Sequence, residues 1–168
     1  WRDEFDGTDL DETKWNIQTG TPLGADCHGS GCDLLGSCRD AACTRDSVTV
    51  GNGRLVLHSA RRTALGRNYT TGAVNSRDKA TWRTADGTFR MCISAQLPGV
   101  PGRAAGVWPA HWLMPNDDTC DPDEGEMDIM EMVNGDGTSY ATYHWQTTFP
   151  ESNCSYPTGH ESKSASQK

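Results

Sequence analysis

Gly125-Glu126-Met127-Asp128-Ile129-Met130-Glu131 places three carboxylates inside a run otherwise built of Met and Ile. A short apolar run with few turn residues predicts a strand bound for a core. Charged side chains seldom enter a core without a partner, so the acids need an explanation. Successive side chains of a strand point to opposite faces, which puts Glu126 and Asp128 on one face and Met127 and Ile129 on the other. Strict alternation would then turn Met130 to the acidic face and Glu131 to the core. One inserted residue, a β-bulge at about Ile129-Met130, restores the pattern and aims Glu131 the same way as Glu126. The expected result is one sheet face carrying three acids and an opposite face that is apolar.

Two carboxylates about 5–5.5 Å apart suit a retaining glycosidase, in which one attacks the anomeric carbon and the other protonates the leaving oxygen. An acid between them raises its neighbours' proton affinity by like-charge repulsion and can hydrogen-bond the nucleophile. The same pattern also fits an exposed acidic edge strand or a carboxylate cluster binding a cation. Spacing alone does not choose among these.

Composition narrows the class. With 18 Gly and 8 Pro in 168 residues and few helix-length periodic segments, the chain reads as all-β. No apolar stretch has the length of a membrane-spanning helix, so no membrane partner is expected. A formal net charge of −8 with no basic stripe argues against a nucleic-acid partner. Seven cysteines, four of them at Cys27, Cys32, Cys38 and Cys43, suggest an oxidising compartment and hence secretion. Their spacings are not C-x-x-C and only His28 is near, which ranks zinc below disulfides. Asn68-Tyr69-Thr70 and Asn153-Cys154-Ser155 match the glycosylation acceptor pattern. The chain opens at Trp1 without a Met or a signal peptide, as a mature or partial product would.

Candidate strands run over 47–50, 54–59, 69–75, 87–97, 106–114, 125–132 and 140–145. Gly51-Asn52-Gly53, Pro98-Gly99 with Pro101-Gly102, Asn116-Asp117-Asp118 and Asn134-Gly135-Asp136-Gly137 separate them as turns. The 87–97 stretch has the clearest alternation: Phe89, Met91, Ile93, Ala95 and Leu97 against Thr88, Arg90, Cys92, Ser94 and Gln96. Without an internal repeat or a low-complexity linker, residues 1–168 read as a single domain. The acidic loop 116–124 fails the twelve-residue calcium-loop pattern: counted from Asp121, the fifth position is Gly125 and the twelfth is Met132. It reads as a solvated rim.

The flanks of the acidic run resemble glycoside hydrolase family 16, and within it the laminarinase-like members. Glu126-Met127-Asp128-Ile129-Met130-Glu131 is similar to that family's E-x-D-x-x-E signature in its bulged, six-residue version. Gly106-Val107-Trp108-Pro109-Ala110-His111-Trp112 resembles its G-x-W-P-A-x-W strand. Trp1-Arg2-Asp3-Glu4-Phe5-Asp6-Gly7, with Leu10-Asp11 and Lys14-Trp15, resembles its N-terminal strand and turn. The stretch from Tyr140 to Trp145 resembles the strand after the signature, where a His faces substrate. The resemblance implies a β-sandwich (jelly roll) of two antiparallel sheets with a concave sugar-binding cleft. It implies a retaining endo-hydrolase of β-1,3-glucan or β-1,3/1,4-glucan working by double displacement.

In this reading Glu126 is the nucleophile, Glu131 the acid/base and Asp128 the modulator between them. Trp108, Trp112 and His144 contact the substrate. The two tryptophans, four apart, would share one face of a regular strand and offer indoles to the sugar's C–H faces. A non-catalytic β-glucan recognition protein, or a transglycosylase of the same fold, are the alternatives; recognition relatives have lost the acids that this chain keeps. No cofactor is required, and no metal is assigned to the site. A structural calcium away from the cleft, with Glu4 as one ligand, is implied by the resemblance alone. The expected partner is a β-glucan polysaccharide, met by a secreted monomer.

Two departures matter. Residues 21–45 replace a stretch that in many laminarinases carries Asn-Glu and Tyr residues beside the cleft. The family's sandwich also continues past the signature, whereas this chain ends at Lys168, soon after the strand holding His144. C-terminal strands are therefore expected to be missing, leaving apolar residues such as those of 87–97 incompletely buried. For the cysteines, a sandwich would bring Cys120 and Cys154 together, while the four between Cys27 and Cys43 pair among themselves. Cys92 is then a buried thiol or one whose partner is absent.

Overall fold

The computed structural model describes residues 1–20, 40–98, 104–115, 126–145 and 161–167, with only the backbone described at 84, 144–145 and 161–167. Among these residues there are ten strands and no α-helix. Two compact units divide the chain, Trp1–Gly87 and Thr88–Lys168.

The first unit is built from three short strand pairs. β1 (Asn16–Ile17) runs antiparallel to β6 (Val74–Asn75), and β2 (Ala41–Cys43) runs parallel to β5 (Tyr69–Thr71). β3 (Val48–Gly51) and β4 (Arg54–Leu57) form a hairpin whose two linking residues, Asn52 and Gly53, have φ of 53° and 68°. That left-handed pair matches the twist of the strands, as the Gly51-Asn52-Gly53 signal requires. Ala42, Cys43, Ser47, Val48 and Thr70 are buried together with Gln18. Gly72 packs so close to Ser47 that a Cβ there would lie 2.2 Å from the Ser47 carbonyl oxygen. The expected 69–75 strand is accordingly broken in two around Gly72-Ala73, one half pairing with β2 and the other with β1.

The second unit contains the sheet of interest, in the order β10-β9-β8-β7 with every pair antiparallel. These strands are β7 (Ala110–Leu113), β8 (Glu126–Glu131), β9 (Ser139–Trp145) and β10 (Glu161–Gln167). Met132 and Ala104 are its buried apolar residues, joined by the polar Asp128 and Thr142.

Several expectations change. The 87–97 stretch is no strand among the described residues, although its alternation is the clearest in the chain. Alternation marks a surface that suits a sheet, but a strand exists only where its N–H and C=O groups meet a neighbouring ladder. Its apolar side is incompletely buried, as anticipated: Phe89 is 42 % and Ile93 48 % exposed. The 106–114 strand shrinks to Ala110–Leu113, because Gly106 takes φ of 82° and the Val107 N–H turns back to the Ala104 carbonyl. Trp108 therefore precedes the strand instead of sharing its face with Trp112. β1, β2 and β10 have no counterpart in the sequence reading; two are shorter than any period can reveal, and β10 is mostly polar. Cys92 is exposed and free, not a buried thiol, while Cys43 is buried. Cys27, Cys32, Cys38, Cys120 and Cys154, the acidic loop 116–124 and Asn153 lie outside the described residues.

Candidate active site

The bulge is where the sequence places it. Along β8, Asp128 pairs with Thr142 and Glu131 with Tyr140, so three steps on β8 match two on β9. On the other side, Trp112 pairs with Asp128 and His111 with Met130, so Ile129 has no counterpart on β7. One extra residue on β8 accounts for both shifts. Directly paired residues project from the same face of a sheet. Tyr140 and Thr142 are two apart on β9, so Glu131 and Asp128 share a face, and Glu126 joins Asp128 by alternation. Ala110 and Trp112 contribute to that face from β7.

Burial differs along the row. Asp128 is 3 % exposed, enclosed between Trp112 and Thr142 in the pairing, whereas Glu126 and Glu131 are half-buried. A buried middle acid flanked by two accessible ones can tune and orient its neighbours without touching a substrate itself. Trp108 lies beside the row, where its indole Nε1–H donates to Glu131 Oε1 at 2.8 Å. Trp108 is 46 % exposed and Trp112 half-buried. Position 144 pairs with Glu126 in the ladder; the His144 side chain falls outside the described part.

The opposite face carries His111 and Met130, which pair with each other. With Ile93, Ala95, Leu97 and Ile129 they line a hollow of about 240 Å³. Burial among these apolar groups holds the His111 imidazole below its ordinary pKa, since charge is disfavoured there. Sequence reasoning passed over His111 and Tyr140. Parity along the two neighbouring strands could have found Tyr140, had the register been known.

Glu4, the implied calcium ligand, pairs with Arg2, which lowers its pKa by hydrogen bond and charge. Among the described residues no group of three or more His, Cys, Asp and Glu is arranged to hold a metal ion.

A sequence profile of the family described as "XgeA-like, catalytic GH16 domain" matches residues 45–168. The chain belongs to glycoside hydrolase family 16. Among curated relatives, it is 36 % identical over 138 residues to a beta-glucanase of Rhodothermus marinus, covering 79 % of this chain and 43 % of that protein. It is 32 % identical over 142 residues to glucan endo-1,3-beta-glucosidase A1 of Niallia circulans, covering 78 % and 19 % respectively. The solved laminarinase of Rhodothermus marinus superposes with a TM-score of 0.65 at 27 % identity, over 98 % of this chain and 60 % of that one. The laminarinase catalytic domain of Thermotoga maritima gives 0.65 at 24 % identity, over 98 % and 61 %. The chain thus spans less than half the length of these curated relatives and about three-fifths of these solved structures. Its fold class is the all-β jelly-roll sandwich of these family 16 laminarinases.

Proposed function

We propose that the acid-bearing face of β8 is the catalytic face of a retaining endo-β-glucanase, acting on β-1,3-glucan or mixed β-1,3/1,4-glucan. The observation that carries this reading is the bulge at Ile129, which puts Glu131 on the face of Glu126 instead of the apolar one. In the first step Glu126 attacks the anomeric carbon as the glycosidic bond breaks, and Glu131 gives its proton to the departing oxygen. In the second, Glu131 takes a proton from water, whose oxygen displaces Glu126 from the glycosyl ester. Asp128, buried between them in the row, orients Glu126. Two carboxylates and water complete this chemistry, so no cofactor is invoked. Trp112 offers an indole to a sugar ring, and His144 a substrate contact from the neighbouring strand. Secretion and action as a monomer belong to the same proposal, as does glycosylation. The names of the curated relatives, a beta-glucanase and a glucan endo-1,3-beta-glucosidase, support the substrate class.

Product profiles on laminarin, lichenan, xyloglucan and agarose test the linkage and separate hydrolysis from transglycosylation. Glu126→Gln is expected to abolish turnover. Glu131→Ala is expected to slow it, and azide should partly rescue the loss on a substrate with a good leaving group, yielding a β-glycosyl azide. An α-configured azide product, or undiminished turnover in Glu126→Gln, would refute the assignment. Binding of laminarin without any cleavage would favour a recognition protein.

A further inference from the structure

We propose that Trp108 is a positioning residue for the acid/base, holding one oxygen of Glu131 so that the transferable proton is left on the other. The proposal rests on the reading of Glu131 as acid/base. The indole N–H can only donate, and it donates to Glu131 Oε1 at 2.8 Å. An oxygen that accepts this bond is the poorer place for the carboxylic proton, which is therefore confined to Oε2. Hydrogen bonds to a carboxylate are stronger than those to the neutral acid. The contact consequently tightens as Glu131 releases its proton to the leaving oxygen, and it contributes most where the reaction needs it.

An exposed indole could hold such a bond only loosely, but the backbone on both sides of Trp108 is fastened. The Gly106 N–H donates to the Asn134 side-chain oxygen at 2.7 Å, and the Asn134 N–H donates to the Val107 carbonyl at 2.9 Å. Beyond the tryptophan, the Met132 N–H donates to the Pro109 carbonyl at 3.1 Å. Asn134 adopts φ of 57°, and Gly135 packs so that a Cβ there would lie 2.5 Å from the Ala104 Cβ. Donor and acceptor are thus tied to one turn: the segment leaving Glu131 is the clamp that seats Trp108. Asn134-Gly135 reads in the sequence as a turn and nothing more; its partner 28 residues upstream is visible only in the fold.

The test uses the full chain, measuring kcat and KM against pH for the parent, Trp108→Phe, Asn134→Ala, Glu131→Ala and the Glu131→Ala/Trp108→Phe pair. Phe keeps an aromatic face for a sugar ring and removes the N–H. Trp108→Phe is expected to lower kcat roughly tenfold with little change in KM, the size of one hydrogen bond to a charged group. The basic limb of its pH profile should move to higher pH, because the ionised acid/base has lost a donor. Asn134→Ala should do the same more weakly, and it decides the matter should Trp108→Phe not fold. In the Glu131→Ala background, Trp108→Phe should lower the azide-rescued rate far less than it lowers the parent's, because the oxygen it bonds is gone. A raised KM with an unmoved basic limb, or an equal loss in both backgrounds, would make Trp108 a sugar platform and overturn the proposal alone. Undiminished turnover in Glu131→Ala would instead remove the acid/base assignment beneath it.

Discussion

His111 and Asp128 sit on neighbouring strands, yet burial acts on them toward different ends. Asp128, almost wholly enclosed, occupies the acid row and shares it with Glu126 and Glu131. His111 looks the other way, into an apolar hollow, where it is easier to keep neutral than charged. Its folded pKa lies below the ordinary value of about 6.5, so between the two values the unfolded chain binds more protons than the folded one. Stability therefore has its full contribution from this group above about pH 6.5 and loses it as pH falls toward the folded pKa. Urea unfolding at a series of pH values should show that decline, and His111→Gln should flatten it. An unchanged slope in the variant would assign the decline to other groups. The acids themselves were legible at this scale from residue type and parity alone. His111 was not, because a lone His in W-P-A-H-W carries no sign of which face it occupies until β7 is paired.

At the scale of the element, the bulge and the acid row are one feature, and parity makes a testable contrast. Removing Ile129 leaves Glu-Met-Asp-Met-Glu, which alternates regularly and keeps all three acids on one face. That deletion should lower activity through altered spacing without abolishing it. Exchanging Met130 and Glu131 in place, with the bulge kept, instead puts the acid on the face of His111, and should cost more than about 100-fold in kcat/KM. Equal losses from the deletion and the exchange, measured on one substrate, would show that face parity does not govern the site. The β8 strand was readable because alternation and its one interruption are both local. The 87–97 stretch shows the limit of the same reasoning: its alternation is better than that of β8, yet it is no strand among the described residues. Trp108 marks a second limit, since four-residue spacing predicts a shared face only if the strand continues. The turn-back at Gly106 ends it before Trp108.

Over the whole molecule, a formal net charge of −8 faces a substrate proposed to be neutral. Charge neither attracts nor repels such a partner at long range, and no counterions are released on contact. The KM for laminarin should consequently change by less than about twofold between low and high salt, whereas a polyanion binder would lose affinity steeply. A strong salt dependence would point to a charged ligand. The all-β class, the family and a row of three acids with the bulge that aligns them are legible without the fold. Each depends on residue type, period or local order, which survive without knowledge of neighbours. That Tyr140 stands opposite Glu131, that Cys92 is exposed and that Trp108 precedes its strand and bonds the Glu131 carboxylate emerges from the fold. Those outcomes depend on which distant segments meet: the 104–109 loop folds back onto the 132–135 turn through backbone hydrogen bonds and one to the Asn134 side chain, and no local stretch of sequence marks partners so far apart.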